Sequence, residues 1–183
     1  MLSSSQASKQ VPPPLRAIID KSALVCQEAS LIGEITVGAG CVLHPKCRLI
    51  AETAPIILGR NNIVEENAVI INKGPSPLLI GDENIFEVAC NIEASRVGHQ
   101  NIFEARSHVR TATMIGSNCV IGQGSQTGEA EQIPDKTVIY GSRLDRRVQH
   151  MNDAHHINLH ARHLEYLREI LPKYNHLRSS GQV

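Results

Sequence analysis

Nine histidines and five cysteines are the residues of this 183-residue chain best suited to chemistry, and their spacing limits what they can do. A zinc centre needs three or four imidazole or thiolate donors converging on one point. His150, His155, His156, His160 and His163 crowd the stretch HMNDAHHINLHARH, where His156 and His160 stand four apart and could chelate from one helical face. A solvated helical face explains the same run. His44, His99 and His108 are isolated, and a lone histidine can act as a general base. No C-x-x-C pair is present, so the cysteines read as small core residues. Three glutamates, Glu65, Glu87 and Glu104, each directly follow a large apolar residue: Val64, Phe86 and Phe103.

The elements that must carry these residues have an unusual period. In VGAGCVLHPKCRLI the aliphatic residues fall at Val37, Leu43 and Leu49, a step that fits neither a helix nor an ordinary strand. The register extends from Ile19 through Val25 and Leu31 to Leu49. It resumes at Leu58, Val64 and Ile70, again at Ile80, Phe86 and Ile92, and runs from Val97 to Ile139 with Thr127 as its one polar member. Four residues beyond these aliphatics the position is usually small or compact, as at Ala29, Cys41, Cys47, Ala68, Cys90, Ser107 and Cys119. Large then small at fixed spacing is the hexapeptide signature of a parallel β-helix.

Each break in the register follows a whole multiple of three hexapeptides, so one coil is three hexapeptides on the sides of a triangular prism. About seven coils result, stacked over about 30 Å at the usual strand spacing. The insertions around 51–57 and 72–79 must leave from one edge of the prism. Stacking puts Gly38, Gly59, Gly81, Gly98 and Gly116 in one column and Asn62, Asn84 and Asn101 in another, where amides can form a ladder. Phe86 stacks on Phe103 inside. Glu65, Glu87 and Glu104 also align, and like charges on neighbouring strands repel. Solvent, a basic surface of a partner, or this chain's own Arg162 and Arg168 would relieve them, which makes these five residues the candidate partner-binding set.

From Asp153 to Leu171 the period changes. Ile157, Ala161, Leu164, Leu167 and Leu171 make the stripe of an amphipathic helix, with Asn152 or Asp153 as N-cap and Pro172 beyond its end. The fold class is therefore all-β, a parallel β-helix with a C-terminal helix packed on its flank. The organisation is a flexible tail at 1–17, a hexapeptide domain at 18–141, a connector and helix at 142–177, and a short tail at 178–183. Acid-free, serine-bearing residues 1–17 resemble a transit peptide, but three successive prolines oppose the helix that such a peptide needs. Lys plus Arg and Asp plus Glu each number 18, so no uniform basic field exists for nucleic acid. No apolar run approaches a membrane span, and the cysteine usage fits a reducing compartment.

The strings LHPKCRLIAETAPIILGRNNIVEENAVI (43–70), IGDENIFEVAC (80–90), IPDKTVIYG (133–141) and ILPKYNHL (170–177) resemble the dynactin subunit 6 family. The resemblance implies a left-handed coil and a non-catalytic subunit without cofactor or metal. It implies pairing with dynactin subunit 5 at the pointed end of the dynactin filament, beside the pointed-end actin-related protein and dynactin subunit 4. That end serves cargo adaptors in dynein-driven microtubule transport, so the expected location is cytoplasmic and cytoskeletal, including centrosome and kinetochore. Departures from the family pattern are a short 72–79 insertion, Ile32-Gly33-Glu34 in place of Arg-Gly-Asp, and a tail after Leu177 without Ser-Pro or Thr-Pro; Ser76-Pro77 lies in the loop instead. The competing expectation is an enzyme of similar fold, a γ-class carbonic anhydrase or an acyltransferase. Against zinc, His44, His99 and His108 fall on three different sides, and none has a partner five residues away.

Overall fold

Each hexapeptide contributes a short extended piece, whose aliphatic side chain turns inward, and a corner that bends the chain on to the next side. The computed structural model describes residues 16–150 and 153–178, with side chains from 158 onward in the second stretch. The tail expected at 1–17 and the N-cap Asn152 therefore lie outside the described residues, except that Arg16 and Ala17 open the first strand.

Among the described residues twenty strands form three parallel sheets, the faces of a prism. Face one has seven strands, from Arg16–Ile19 to Gln132–Ile133. Face two has seven parallel strands, from Leu24–Val25 to Thr137–Tyr140, and an antiparallel eighth, Asp145–Val148. Face three has five, from Ser30–Ile32 to His108–Val109. Its last coil has only a bridge between His108 and Gln126. Val37, Leu58, Ile80, Val97 and Ile115 pair in unbroken register and are all buried, so one inward file runs through five coils. Thr127 keeps the inward place of its aliphatic predecessors by bonding: its hydroxyl accepts from Arg110 N at 3.0 Å and lies 3.3 Å from Thr113 Oγ1.

Corners explain the small residues. The third residue after the aliphatic is usually left-handed, as at Lys46, Asn61, Asn67, Glu83, Ala89, Gln100, Arg106, Ala112 and Asn118. A residue carrying a Cβ pays about 1–2 kcal/mol for that conformation, and the buried small residue that follows is what lets the chain turn inward there. On the glycine column a Cβ at Gly98 would stand 2.4 Å from Gly116 O, so adjacent coils touch backbone to backbone. The asparagine ladder forms as expected. Asn84 Nδ2 donates to Asn62 Oδ1 at 3.0 Å, Asn101 Nδ2 to Asn84 Oδ1 at 2.9 Å, and Cys119 N to Asn101 Oδ1 at 2.7 Å. The Phe86 and Phe103 rings stack with centroids 4.9 Å apart. Both insertions leave the edge between faces three and one, tied together by buried Asn72, whose Nδ2 reaches Ala54 O, Pro55 O and Ser76 O at 2.9–3.0 Å.

The C-terminal helix differs from expectation in two respects. It runs Asp153–Tyr174, with Pro172 inside its last turn; only the carbonyl of Arg168 loses its helical donor there, and Asn175 N still closes on Leu171 O at 2.9 Å. Its buried stripe is His160, Leu164, Leu167 and Leu171, while Ala161 is exposed. The leucines cover Val42, Ile63 and Cys26 on the outside of face two. The chain thus returns along the prism to its beginning. There Leu177 bridges Cys26 antiparallel, Gln27 N donates to His176 O at 2.7 Å and Arg178 N to Val25 O at 2.8 Å. Strand Asp145–Val148 seals face two at the opposite end, and Leu144 packs against the core beside it.

Candidate functional site

The acidic file is built at the corners between faces two and three, and its charge is answered by the fold itself. Each carboxylate accepts from the backbone of the next coil: Val88 N donates to Glu65 Oε2 at 3.1 Å, Ala105 N to Glu87 Oε2 at 3.0 Å and Gln123 N to Glu104 Oε2 at 2.8 Å. Partial burial, and then the neighbouring glutamate, still hold the carboxyls of Glu65 and Glu87 above the usual range. Sequence reasoning saw the alignment but not the donors, because backbone N–H groups at a corner leave no mark on residue type. Arg168 goes elsewhere: its Nη2 donates to Gly40 O at 3.1 Å. Arg162 is exposed on the helix, and no ion pair joins either arginine to the three glutamates.

The coil histidines do not converge. His44 is buried under the helix and its Nδ1–H donates to Glu66 Oε1 at 2.9 Å, leaving Nε2 without a partner. His99 Nδ1 accepts from Asp82 N at 2.9 Å, one rung of a column in which His99 N in turn donates to Ser117 Oγ at 3.0 Å. His108 lies on face three with Nε2 3.4 Å from Asn91 Nδ2. In the histidine-rich run, the side chains of His155 and His156 lie outside the described residues. His160 is committed to the prism, donating Nε2–H to Asn61 O at 2.6 Å. Among the described residues no group of three metal-ligating side chains meets. Burial pushes the thiols of Cys26, Cys41 and Cys119 up to about 11 and of Cys47 to about 12, and raises Cys90 further, so none is a nucleophile at neutral pH.

Among the described residues nothing covers the outside of faces one and three, and face one carries more of the exposed apolar side chains. Its outward file reads Ile18, Thr36, Ile57, Leu79, Arg96, Met114 and Gln132, in continuous register from coil to coil. Ile18 is 68% exposed, Leu79 47%, Met114 40% and Ile57 39%. A shallow groove of about 600 Å³ runs beside its lower half, with Leu79, Arg96, Met114 and Asp135 among its lining residues. Exposed apolar side chains scattered singly are ordinary, whereas an aligned file on a flat sheet marks a surface that meets another.

Stacked triangular coils of hexapeptides define the class: a left-handed β-helix of the hexapeptide-repeat type. A crystal structure of a hexapeptide transferase family protein from Anaplasma phagocytophilum superposes with a TM-score of 0.70 over 86% of this chain and 92% of that one, at 15% identity. No protein-family model matches the chain. Dynactin subunit 6 of Nematostella vectensis is 40% identical, covering 96% of this chain and 98% of its own length; that of Danio rerio is 38% identical, covering 88% and 87%. The chain belongs to the dynactin subunit 6 family, and so is a structural, non-catalytic component of the dynactin complex, which is cytoplasmic and cytoskeletal. A carbonic anhydrase from Methanosarcina thermophila is 29% identical over 117 residues, 61% of this chain and 46% of that protein.

Proposed function

We propose that this subunit works at the pointed end of dynactin, paired side by side with dynactin subunit 5, next to the pointed-end actin-related protein and dynactin subunit 4. In that position it supports cargo and adaptor engagement in dynein-driven transport, including at centrosomes and kinetochores. The observation that carries the pairing is face one: an aligned file with Ile18, Ile57, Leu79 and Met114 exposed, left bare while the chain's own helix covers the first coils of face two. A second flat prism offers the matching repeat along the file. The acidic file Glu65, Glu87 and Glu104, whose Oε1 atoms accept no hydrogen bond among the described residues, and Arg162 and Arg168 on the helix form the polar surface offered to further partners.

Co-expression with subunit 5, followed by native mass measurement and metal analysis, tests this reading. A one-to-one heteromer without zinc is expected, and Leu79→Glu or Ile57→Glu should abolish it while leaving the circular dichroism unchanged. A heteromer that tolerates both substitutions places the contact elsewhere. The similarity to the Methanosarcina carbonic anhydrase motivates the one rival reading, which requires a homotrimer with zinc at its interfaces and measurable CO₂ hydration.

A further inference from the structure

The outward file of face one has a single charged member. Arg96 pairs in register with Leu79 on one side and Met114 on the other, and both of these neighbours are exposed apolar residues. Arg96 is itself exposed, and among the described residues it makes no ion pair. Other arginines of the prism are matched within the chain: Arg60 meets Asp82 at 3.1 Å and Arg110 meets Glu129 at 2.5 Å. Asp135, the one acid lining the same groove, gives Oδ1 to Ser117 N at 2.8 Å instead.

Neighbouring strands lie about 4.8 Å apart, so a flat partner that covers Leu79 and Met114 also covers Arg96 between them. A guanidinium shut away from water without a counter-charge is costly, whereas a carboxylate matches its planar fork with two parallel N–H···O bonds. Given the face-one pairing proposed above, on which this rests, we propose that the partner prism presents the carboxylate of an aspartate or glutamate to Arg96. The charge makes face one selective: a purely apolar or a basic surface would bury Arg96 unmatched.

The test uses the full chain co-expressed with dynactin subunit 5. The dissociation constant of the heteromer is measured at pH 7.5 and pH 5.5 for the unaltered chain and for Arg96→Met. Methionine keeps an unbranched apolar stem in the file and removes the charge, which leaves the partner's carboxylate buried and unmatched. The constant should rise about a hundredfold at pH 7.5, with the circular dichroism unchanged. An unmatched buried carboxyl has its pKa raised and takes up a proton as pH falls. The ratio of variant to unaltered chain should therefore shrink below about tenfold at pH 5.5. His99 and Asp135, the other titratable groups lining the groove, are common to both chains and cancel in that ratio. An Arg96→Met heteromer as tight as the unaltered one, or a loss equal at both pH values, overturns the proposal. If Ile57→Glu also leaves the heteromer intact, the face-one pairing itself fails; if Ile57→Glu abolishes it while Arg96→Met binds normally, only the carboxylate does.

Discussion

At the scale of single residues, buried polar groups hold the coils in register, and they are where substitution should be felt most. Asn84 Oδ1 accepts from both the backbone and the side chain of Asn101, and its Nδ2 donates to Asn62 Oδ1 and Gly98 O. Asn84→Ala strands several buried partners at once and should cost about 2–4 kcal/mol in chemical denaturation. Glu87→Gln keeps an acceptor for Ala105 N and removes a charge that burial and Glu104 disfavour, so it should be neutral or stabilising where Glu87→Ala destabilises. The histidines under the helix act in the other direction. Burial is the first cause of the lowered pKa of both His160 and His163, with His44 and His160 adding repulsion at His163, while Glu83 beside His160 opposes the shift there. The docked helix thus binds fewer protons than the released one. Its docking is complete above the ordinary histidine value of about 6.5 and weakens as pH falls through that value toward the lowered ones. Relative to their intrinsic exchange rates, helix amides should exchange faster at pH 5.5 than at pH 7.5, and a corrected rate independent of pH would refute the linkage.

At the scale of elements, the prism and its C-terminal helix were readable, while one position of the helix's stripe and the closing strand were not. Six-residue spacing constrains a coil because a hexapeptide must place one bulky side chain inward and one compact residue at the corner, and Val37, Leu58, Ile80, Val97 and Ile115 with their corner residues Cys41, Asn62, Asn84, Asn101 and Cys119 all obey it. The helix has no such repeat. Its stripe was read one residue off at Ala161 because a histidine counted as polar, yet His160 is buried by spending one nitrogen on Asn61 O. Strand Asp145–Val148 was invisible because its arginines break any apolar alternation; it is set by pairing with Thr137–Tyr140, and Arg146 meets Glu131. Since each coil contacts mainly its neighbours, the helix should be separable from the prism. Leu167→Asp puts a charge against Val42 and Ile63 and should release the helix, seen as lost ellipticity at 222 nm, while the sheet amides remain protected. Simultaneous loss of both would mean that helix and prism are a single cooperative unit.

At the scale of the whole molecule, one face is covered by the chain itself, one carries a bare apolar file, and the corners between faces two and three carry an acidic one. That division suits a subunit that must meet several neighbours at once, and the pairing variants Leu79→Glu and Ile57→Glu address it directly. The ends of the prism are unequal as well. Parallel coils expose unpaired edges, and face two has both of its edges closed, one by Asp145–Val148 and the other by 176–178. The second closure has a kinetic meaning. The residues that lock the opening winding follow every winding in the sequence, so a ribosome that has already released the whole prism still withholds the latch. Until residues 176–178 have emerged, the first rung of this ladder lies open to strands of nascent neighbours, and a cell that makes the protein must shelter that rung or pair it promptly.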